Sequence, residues 1–408
     1  MKKPIENEEK RLISDTPGGE LIIDESLVED GQVRSPHRVA AGELIIDESL
    51  VEDGQVVVLG LSGGPDSVCL LYELKALDAV RRQAGGKGNK IVCAHINHGL
   101  RGEEADDDEE FVVSLAKKFG MGFYIKRIDA EELASESGMT VEEAGREARY
   151  AFFDEVCVSE EKKLYEPSPF GMARFDFAPD PLIAVAHNLD DQVETVLMRI
   201  LRGTGMDGLA GMSARRKSAA GFDIVRLLLG VPRSGIEERL EIWGAEARTD
   251  ESNLKTDYLR NKLRLEVLPW LEDNVWPGIR QSLSRLAENA AEDKAYFDAV
   301  ITETLEECIA DAADETISIP AEVLAETHPA IRHRLIRAAF SELGLKQDVA
   351  AVHLAAADRL LKTWQDGGEA SGKRVEFPCD YTFGIKGKTA LFRTPSAADP
   401  SWKPMRKL

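Results

Sequence analysis

The sequence of 408 residues lacks several features that mark specialised classes of protein. Its five cysteines include no C-x-x-C pair, so the sequence indicates neither a zinc ribbon nor a redox dithiol. No stretch approaches the roughly 18 uncharged apolar residues of a membrane helix, and no apolar run follows the charged start Met1–Arg11. We therefore expect a cytoplasmic protein with no export signal and no membrane anchor.

Positive charge is also scarce in this chain. There are 51 Lys and Arg residues against 73 Asp and Glu, which gives a formal net charge of −22. Such a balance argues against a protein held to nucleic acid or to a membrane by bulk charge, so any anionic ligand must be bound by a local basic patch. The hydrophobic fraction of 43% is that of an ordinary folded protein, and the length allows two or three domains.

The N-terminal region contains an unusual duplication. Residues Gly19–Val33 recur without change as Gly42–Val56, but two copies are too few for a solenoid, which needs three or more units. We interpret the repeat as a recent duplication or an artefact of sequence assembly. Because Met1–Val57 carries six Lys and Arg against fourteen Asp and Glu, we expect residues 1–54 to form an acidic, flexible extension.

From Val56 onward, short apolar runs alternate with helical patterns. The apolar runs, which predict buried strands, are Val56–Leu61, Ile91–His95, Phe123–Ile128, Leu182–Ala186 and Ile224–Leu229. The helical patterns between them are Asp66–Leu77, Glu104–Phe119, Val141–Val156 and Asp190–Leu201. Strands that alternate with helices imply crossover connections, so residues 55–232 are predicted to form an α/β domain with a doubly wound parallel sheet.

The remainder of the chain is predicted to be mainly helical. Residues 233–275 are interpreted as a basic helical bridge, with a helix that ends at Pro269. Residues 276–408 are predicted to form a C-terminal α+β domain. Its helical patterns lie at Trp276–Ala312, Ile331–Leu343 and Val349–Trp364, and a small β element is predicted at Lys373–Phe392.

The segment Ser62-Gly63-Gly64-Pro65-Asp66-Ser67 lies between the first predicted strand and the first predicted helix. Phosphates favour this position because a helix N-terminus presents unpaired N–H groups and glycines allow close approach of the backbone. Asp66 would repel a bare phosphate, but it suits a site where Mg²⁺ bridges the two groups. The alternative is a capped helix after a glycine turn, and the loop is not a Walker motif because it lacks Gly-Lys-Ser/Thr.

Three further motifs carry chemically suitable side chains. His98 and Arg101 follow the second strand, at the edge of the sheet where ligands bind in such folds. A metal pair of His95 and His98 is disfavoured because no further ligand cluster accompanies it. On the third helix, Arg146 and Arg149 share one face, which suits phosphate binding but also fits an ordinary solvated face.

The fourth strand is followed by an acidic pair. Asp191 and Glu194 lie three residues apart on one helical face and could bind an ammonium group, although acids in a first helical turn also complement the helix dipole. Downstream, a glycine-rich basic loop at Arg199–Leu209 is followed by Arg215-Arg216-Lys217. This strip is a candidate for phosphate contacts in an otherwise acidic protein.

The hexapeptide at Ser62–Ser67 resembles the SGGxDS loop of the PP-loop ATP pyrophosphatase superfamily. Together with HINHGLR, EEAGREARYAFF, AHNLDDQVET, LRGTGMDGLAGM and the Asp250–Leu271 region, it is similar to the tRNA(Ile)-lysidine synthetase family from about Val56 to Leu271. Weaker similarity continues to Val375 and implies that residues 276–408 bind tRNA and substrate. The resemblance implies a ligase that uses ATP to adenylate the wobble cytidine of an isoleucine tRNA with a CAU anticodon. Free L-lysine would then displace AMP to form lysidine.

The resemblance also implies roles for single residues. ATP would be bound by Ser62, Gly63, Gly64, Pro65, Asp66 and Ser67, with Mg²⁺ on Asp66 and with His98, Arg101 and Arg149 acting beside the adenylate. Lysine would be bound by Asp191 and Glu194. The tRNA would be contacted by Arg202, Arg260 and Arg264. The sequence leaves open whether the protein is a monomer or a homodimer.

Two alternatives are a tRNA thiolase of the same superfamily and an inactive relative that only binds nucleotide and RNA. Scattered cysteines argue against a thiolase, which needs a thiolate or an iron–sulfur cluster. The intact glycine-rich loop and acidic pair argue against an inactive relative. The chain departs from the family pattern at Arg226-Leu227-Leu228-Leu229, where the family has Arg-Pro-Leu-Leu, and at Glu160–Pro181, which resembles an insertion.

Overall fold

The computed structural model describes residues 21–23, 44–99, 103–165, 179–248, 259–308, 311–313, 315–345, 348–399 and 401–404. By its internal contacts the chain divides into two units, Met1–Glu288 and Asn289–Leu408. Most of the predicted acidic extension lies outside the described residues. No helix in the described part of the chain is both long enough and apolar enough to cross a membrane.

The first unit contains a seven-stranded sheet with the order β1-β4-β3-β2-β5-β7-β6. Its five inner strands are parallel, and both edge strands run antiparallel to their neighbours. The strands are β1 Leu21–Ile23, β2 Val56–Gly60, β3 Lys90–Asn97, β4 Gly122–Arg127, β5 Leu182–Ala184, β6 Arg215–Lys217 and β7 Asp223–Val225. Each of the five predicted strands is found in the parallel part of the sheet.

Helices cover both faces of this sheet. Val57 and Leu59 of β2 pack in one cluster with α1, α2 and α7, whereas Val58 packs on the other face with α4, as the alternation of side chains along a strand requires. The helices are α1 Pro65–Gln83, α2 Glu103–Lys118, α3 Ala130–Ser137, α4 Val141–Tyr165, α5 Leu189–Leu201, α6 Met206–Leu209 and α7 Arg233–Trp243. The predicted doubly wound fold is confirmed.

The two copies of the duplicated segment have different structures where they are described. In the first copy Leu21–Ile23 forms the edge strand β1, which pairs with Tyr124–Lys126 of β4. In the second copy Ile46 and Val51 lie buried in the core of the first unit. The sequence predicts an extension up to residue 54, but this core already includes residues before that boundary.

The region predicted as a basic helical bridge continues past its proline. Helix α8 Leu259–Lys262 leads into a π-helical turn at Leu263–Val267, and α9 Leu268–Asn274 follows directly. Pro269 lies in the first turn of α9, where its missing N–H and fixed φ are tolerated. The predicted end of the helix at Pro269 is therefore wrong.

The second unit is built on a six-stranded sheet with the order β13-β10-β11-β12-β9-β8. The strands are β8 Asp311–Ala313, β9 Thr316–Pro320, β10 Lys373–Glu376, β11 Thr382–Lys386, β12 Thr389–Arg393 and β13 Lys403–Pro404. The helices are α10 Ile279–Cys308, which begins in the first unit, and α11 Ala321–Glu326, α12 Pro329–Glu342 and α13 Ala351–Gln365. The predicted α+β character is confirmed, with more strands than the sequence indicates.

Candidate functional site

The strand order places a crevice at the carboxyl end of β2. The chain moves outward from β2 to β3 and β4, then returns to the other side of β2 with β5 and β7. Loops that leave β2 and β5 therefore diverge, and ligands bind at such a switch point in open α/β sheets. A cavity of about 660 Å³ lies there, lined by the ends of β2, β3 and β5, a volume typical of small-molecule sites.

The glycine-rich loop Ser62–Ser67 lines this cavity with all of its residues except Gly63. Its shape is fixed from within, because the Ser67 hydroxyl donates to the carbonyl of Gly64 at 2.9 Å and lies 3.1 Å from the Ser62 hydroxyl. Gly63 has φ of +85°, a conformation that other residues rarely adopt. Among the residues that the structure describes, no side chain caps the start of α1 at Gly64, so N–H groups of its first turn can bind an anion.

Asp66 contacts an arginine that the sequence analysis did not identify. Arg233 Nη1 lies 2.9 Å from Asp66 Oδ1. Burial raises the pKa of Asp66, and the nearby Asp191 adds to this rise, while Arg233 opposes it. Burial would lower the pKa of Arg233, but its bonds to Glu237 and Asp66 outweigh this and raise it.

The two histidines of the second motif have different environments. His95 is buried, and its Nδ1 donates to the carbonyl of Leu61 at 2.9 Å, so it supports the entry to the glycine-rich loop. Burial lowers the pKa of His95. His98 lies 3.0 Å from Arg149, measured from Nε2 to Nη2. Because a guanidinium can only donate, His98 accepts at Nε2 in this contact.

Arg149 and His98 both line the cavity. Burial lowers the pKa of Arg149. Gly145, one turn earlier on α4, makes this approach possible, because a Cβ there would lie 3.2 Å from His98 Nδ1. Arg101, predicted to act beside them, lies outside the described residues.

The predicted lysine-binding pair and two of the predicted tRNA-binding arginines form one ion-pair network. Glu194 is fully buried and binds Arg260 Nε at 2.8 Å and Arg264 Nε at 2.5 Å. Asp191 Oδ1 accepts from the same two guanidinium groups, at 3.1 Å and 2.9 Å. Its other oxygen caps α5 through the N–H of Asn188. The two acidic charges are thus balanced by two arginines, a pairing that the sequence did not predict.

Arg264 belongs to the π-helical turn at Leu263–Val267 and also lines the cavity. Such turns occur often at functional sites. Arg202, the third predicted tRNA contact, is exposed at the C-terminal end of α5 and is not part of the network.

His187 is a cavity residue without a role in the sequence analysis, although it directly precedes the acidic motif. Its Nδ1 is buried and has no hydrogen-bond partner among the described residues. Burial lowers the pKa of His187 to about 3, so the ring is neutral at physiological pH. Tyr150 and Asn188 also line the cavity.

The described residues offer little for a resident metal or for sulfur chemistry. No group of three or more His, Cys, Asp or Glu side chains in the described part of the chain could hold a metal ion. A single carboxylate such as Asp66 still suits Mg²⁺, which takes its other ligands from phosphates and water. Burial raises the pKa of Cys69 and of Cys93 to about 12, and Cys157 is buried as well, so none of these three is a ready thiolate.

Two family models match the chain. The PP-loop domain matches residues 39–165 and 178–271, and the TilS substrate binding domain matches residues 320–379. The first match leaves out residues 166–177, inside the predicted insertion at Glu160–Pro181. Glu160 itself belongs to α4, where it is buried and bonds Tyr124 and Lys90.

The curated relatives are named tRNA(Ile)-lysidine synthase. That of Clostridium tetani is 37% identical over 287 residues, which cover 70% of this chain and 55% of the relative. That of Clostridium acetobutylicum is 33% identical over 323 residues, covering 79% and 62% respectively. This chain therefore spans less than two thirds of the length of these relatives.

Among solved structures, the U34-tRNA thiolase NcsA from Methanococcus maripaludis with its [4Fe-4S] cluster matches with a TM-score of 0.44 and 19% identity. The match covers 61% of this chain and 76% of the thiolase. The family model for the PP-loop domain covers more than half of the chain. The matched residues include the glycine-rich loop, the strands that line the cavity and the π-helical turn that carries Arg264. The chain belongs to the PP-loop domain family.

Proposed function

We propose that this protein is a cytoplasmic tRNA(Ile)-lysidine synthase. It would use ATP to adenylate the wobble cytidine of a CAU-anticodon isoleucine tRNA and then join free L-lysine to that base, releasing AMP and pyrophosphate. The observation that carries the proposal is the glycine-rich loop at the switch point, which shares one cavity with His98, Arg149 and the arginine that bridges Asp191 and Glu194. The relatives' names and the match to the TilS substrate binding domain support it.

For the first step, the loop would bind the phosphates of ATP. Uncapped N–H groups at the start of α1 would donate to the phosphates, and negative charge on departing pyrophosphate would be stabilised there. Asp66 would hold Mg²⁺, and Mg²⁺ when bound neutralises phosphate charge. Arg149, which contacts His98, would donate to an adenylate oxygen.

For the second step, we assign lysine to Asp191 and Glu194. In this structure both carboxylates already bind guanidinium groups, so the lysine ammonium would have to replace Arg260 or Arg264 at one of them. Such an exchange keeps the lysine loosely bound, which suits the reaction, because the amine must lose its proton before it attacks the cytidine. The displaced arginine would then be available to the tRNA or the adenylate.

The two alternative functions have less support. A thiolase requires an accessible thiolate or cluster ligand, and the three described cysteines of the first unit are all buried. An inactive relative would not need the hydroxyl and glycine geometry that the loop retains.

The test is incubation of the protein with ATP, Mg²⁺, labelled lysine and an unmodified CAU-anticodon isoleucine tRNA, followed by nucleoside mass spectrometry. We expect lysidine at the wobble position. Asp66→Asn should abolish cleavage of ATP to AMP, and Asp191→Asn should raise the KM for lysine while tRNA binding stays the same. Cleavage of ATP on addition of tRNA without a lysine adduct would contradict the proposed nucleophile, and no tRNA-dependent cleavage would contradict the whole proposal.

A further inference from the structure

A cluster of arginines surrounds Tyr150 at the cavity. The guanidinium carbon of Arg146 lies 5.1 Å from the centre of the tyrosine ring, and that of Arg216 lies 4.7 Å from it. Arg226, which follows β7, lies near enough to help lower the pKa of the Tyr150 phenol. We call Arg146, Tyr150, Arg216 and Arg226 the Tyr150 cluster.

The Tyr150 cluster has no acidic partner. Within the described residues, none of its three arginines forms an ion pair with a carboxylate, whereas Arg215 and Lys217 on either side of Arg216 share Asp223 at 2.6 Å and 3.0 Å. Side chains alternate across a strand, so Arg216 lies on the face opposite to the one on which its neighbours share Asp223. Of the three cations Arg215–Lys217, only Arg216 has no carboxylate beside it among the described residues.

Arg226 shows that the cluster is a built site. Its side chain is 3% exposed and its Nη1 donates to the carbonyl of Ser213 at 2.5 Å, yet its buried Nε has no partner among the described residues. A buried charge without a partner is unfavourable. Burial lowers the pKa of Arg226. Burial would raise the pKa of the Tyr150 phenol, but the surrounding arginines outweigh this effect and lower that pKa. An anion at this position would relieve the repulsion.

We propose that the Tyr150 cluster is a phosphate-binding site. A guanidinium group can donate two parallel hydrogen bonds to phosphate oxygens. A carboxylate has only two oxygens, which Arg146 and Arg216 alone would occupy. Three guanidinium groups around one phenol therefore match a phosphate better than a carboxylate. The phosphate could belong to an RNA backbone or to ATP. The exposure of Arg146 and Arg216 favours RNA, since these side chains reach solvent outside the cavity that the glycine-rich loop lines. The RNA assignment rests on the proposed function; the phosphate site itself does not.

The test compares Arg216→Gln and Arg146→Gln with the matched control Lys217→Gln in the full chain. All three side chains are exposed and each change removes one positive charge, so folding should be retained. Binding of an unmodified CAU-anticodon isoleucine tRNA is measured at several KCl concentrations. Loss of one charge-assisted bond should weaken binding about ten-fold and reduce the slope of log K against log salt by about 0.7 to 0.9. Arg216→Lys should restore the slope.

The control and a nucleotide arm decide the outcome. Lys217→Gln should leave the affinity within about two-fold, because Lys217 lies outside the cluster and pairs with Asp223, and ATP binding should be unchanged in all variants. Weaker ATP binding with unchanged tRNA binding would support the phosphate site and assign it to the nucleotide. If Lys217→Gln weakens binding as much as Arg216→Gln, or if neither arginine variant changes either ligand, the proposal is overturned. If the protein makes no lysidine but the arginine variants still reduce the salt slope of tRNA binding, only the proposed function is contradicted.

Discussion

Replacing Glu194 is expected to destabilise the first unit, because the ion pair between Glu194 and Arg264 is lost. Glu194 is fully buried on α5, and the two side chains share two hydrogen bonds, from Nε at 2.5 Å and from Nη2 at 3.0 Å. Glu194→Gln keeps the shape of the side chain but turns one amide N–H toward a guanidinium N–H. A buried donor that loses its acceptor is more unfavourable than the original bond was favourable.

The magnitude follows from the number of bonds and their exposure. Hydrogen bonds to charged groups contribute about 1.5–3 kcal/mol each, so two would give about 3–6 kcal/mol if fully buried. The Arg264 side chain is 35% exposed, and Arg260 still serves one oxygen of Glu194. Solvent screening and this second partner should roughly halve the sum, to a coupling energy of about 1.5–3 kcal/mol.

The assay is a double-mutant cycle of Glu194→Gln and Arg264→Gln, with urea unfolding followed by tryptophan fluorescence. The control cycle uses Lys126 and Glu155, an ion pair of 2.9 Å whose glutamate is about half exposed, for which we expect about 0.2–1 kcal/mol. A coupling energy for Glu194 and Arg264 no larger than that of the control pair would refute the burial argument.

Two further outcomes are expected. Gly63→Ala should weaken ATP binding in a nucleotide titration, because φ of +85° is strained for alanine and the new Cβ would lie 3.2 Å from Phe111. Gly205→Ala is the control, since Gly205 has φ of −85° and no described atom within 4 Å of the position of its Cβ. It should leave ATP binding unchanged. The free energy of unfolding should fall as the pH drops from about 6.5 toward 3, because His187 takes up a proton in the unfolded state at a higher pH than in the folded state. His187→Gln should flatten this part of the stability–pH profile in thermal melts. An unaltered profile would contradict the low pKa of His187.

Much of the fold was accessible from the sequence because parallel strands are buried on both faces. Val56–Gly60 and Leu182–Ala184 are short apolar runs, and such runs have few alternatives between helical segments. The strand β6 could not be found in this way, because Arg215–Lys217 is wholly basic and is held in the sheet by its backbone pairing with β7. Pro269 misled the prediction because a π-helical turn precedes it.

Spacing along the sequence predicts which site residues share one face of a helix. Asp191 and Glu194 share a face at a spacing of three, and Arg260 and Arg264 do so at a spacing of four. Nothing local indicates that the two pairs meet, since 66 to 73 residues separate the partners. The contact of Arg233 with Asp66 spans 167 residues and is equally invisible to local patterns.

Net charge is a poor guide to anion binding in this protein, because the ion pairs decide which cations remain active. The chain carries a formal charge of −22, yet the arginines nearest its acidic pair are neutralised, and Arg215 and Lys217 share the charge of Asp223. Around Tyr150, in contrast, Arg146 and Arg216 have no acidic partner among the described residues. Acidic residues more than about 10 Å away do not weaken this local field, since charges beyond that distance are screened.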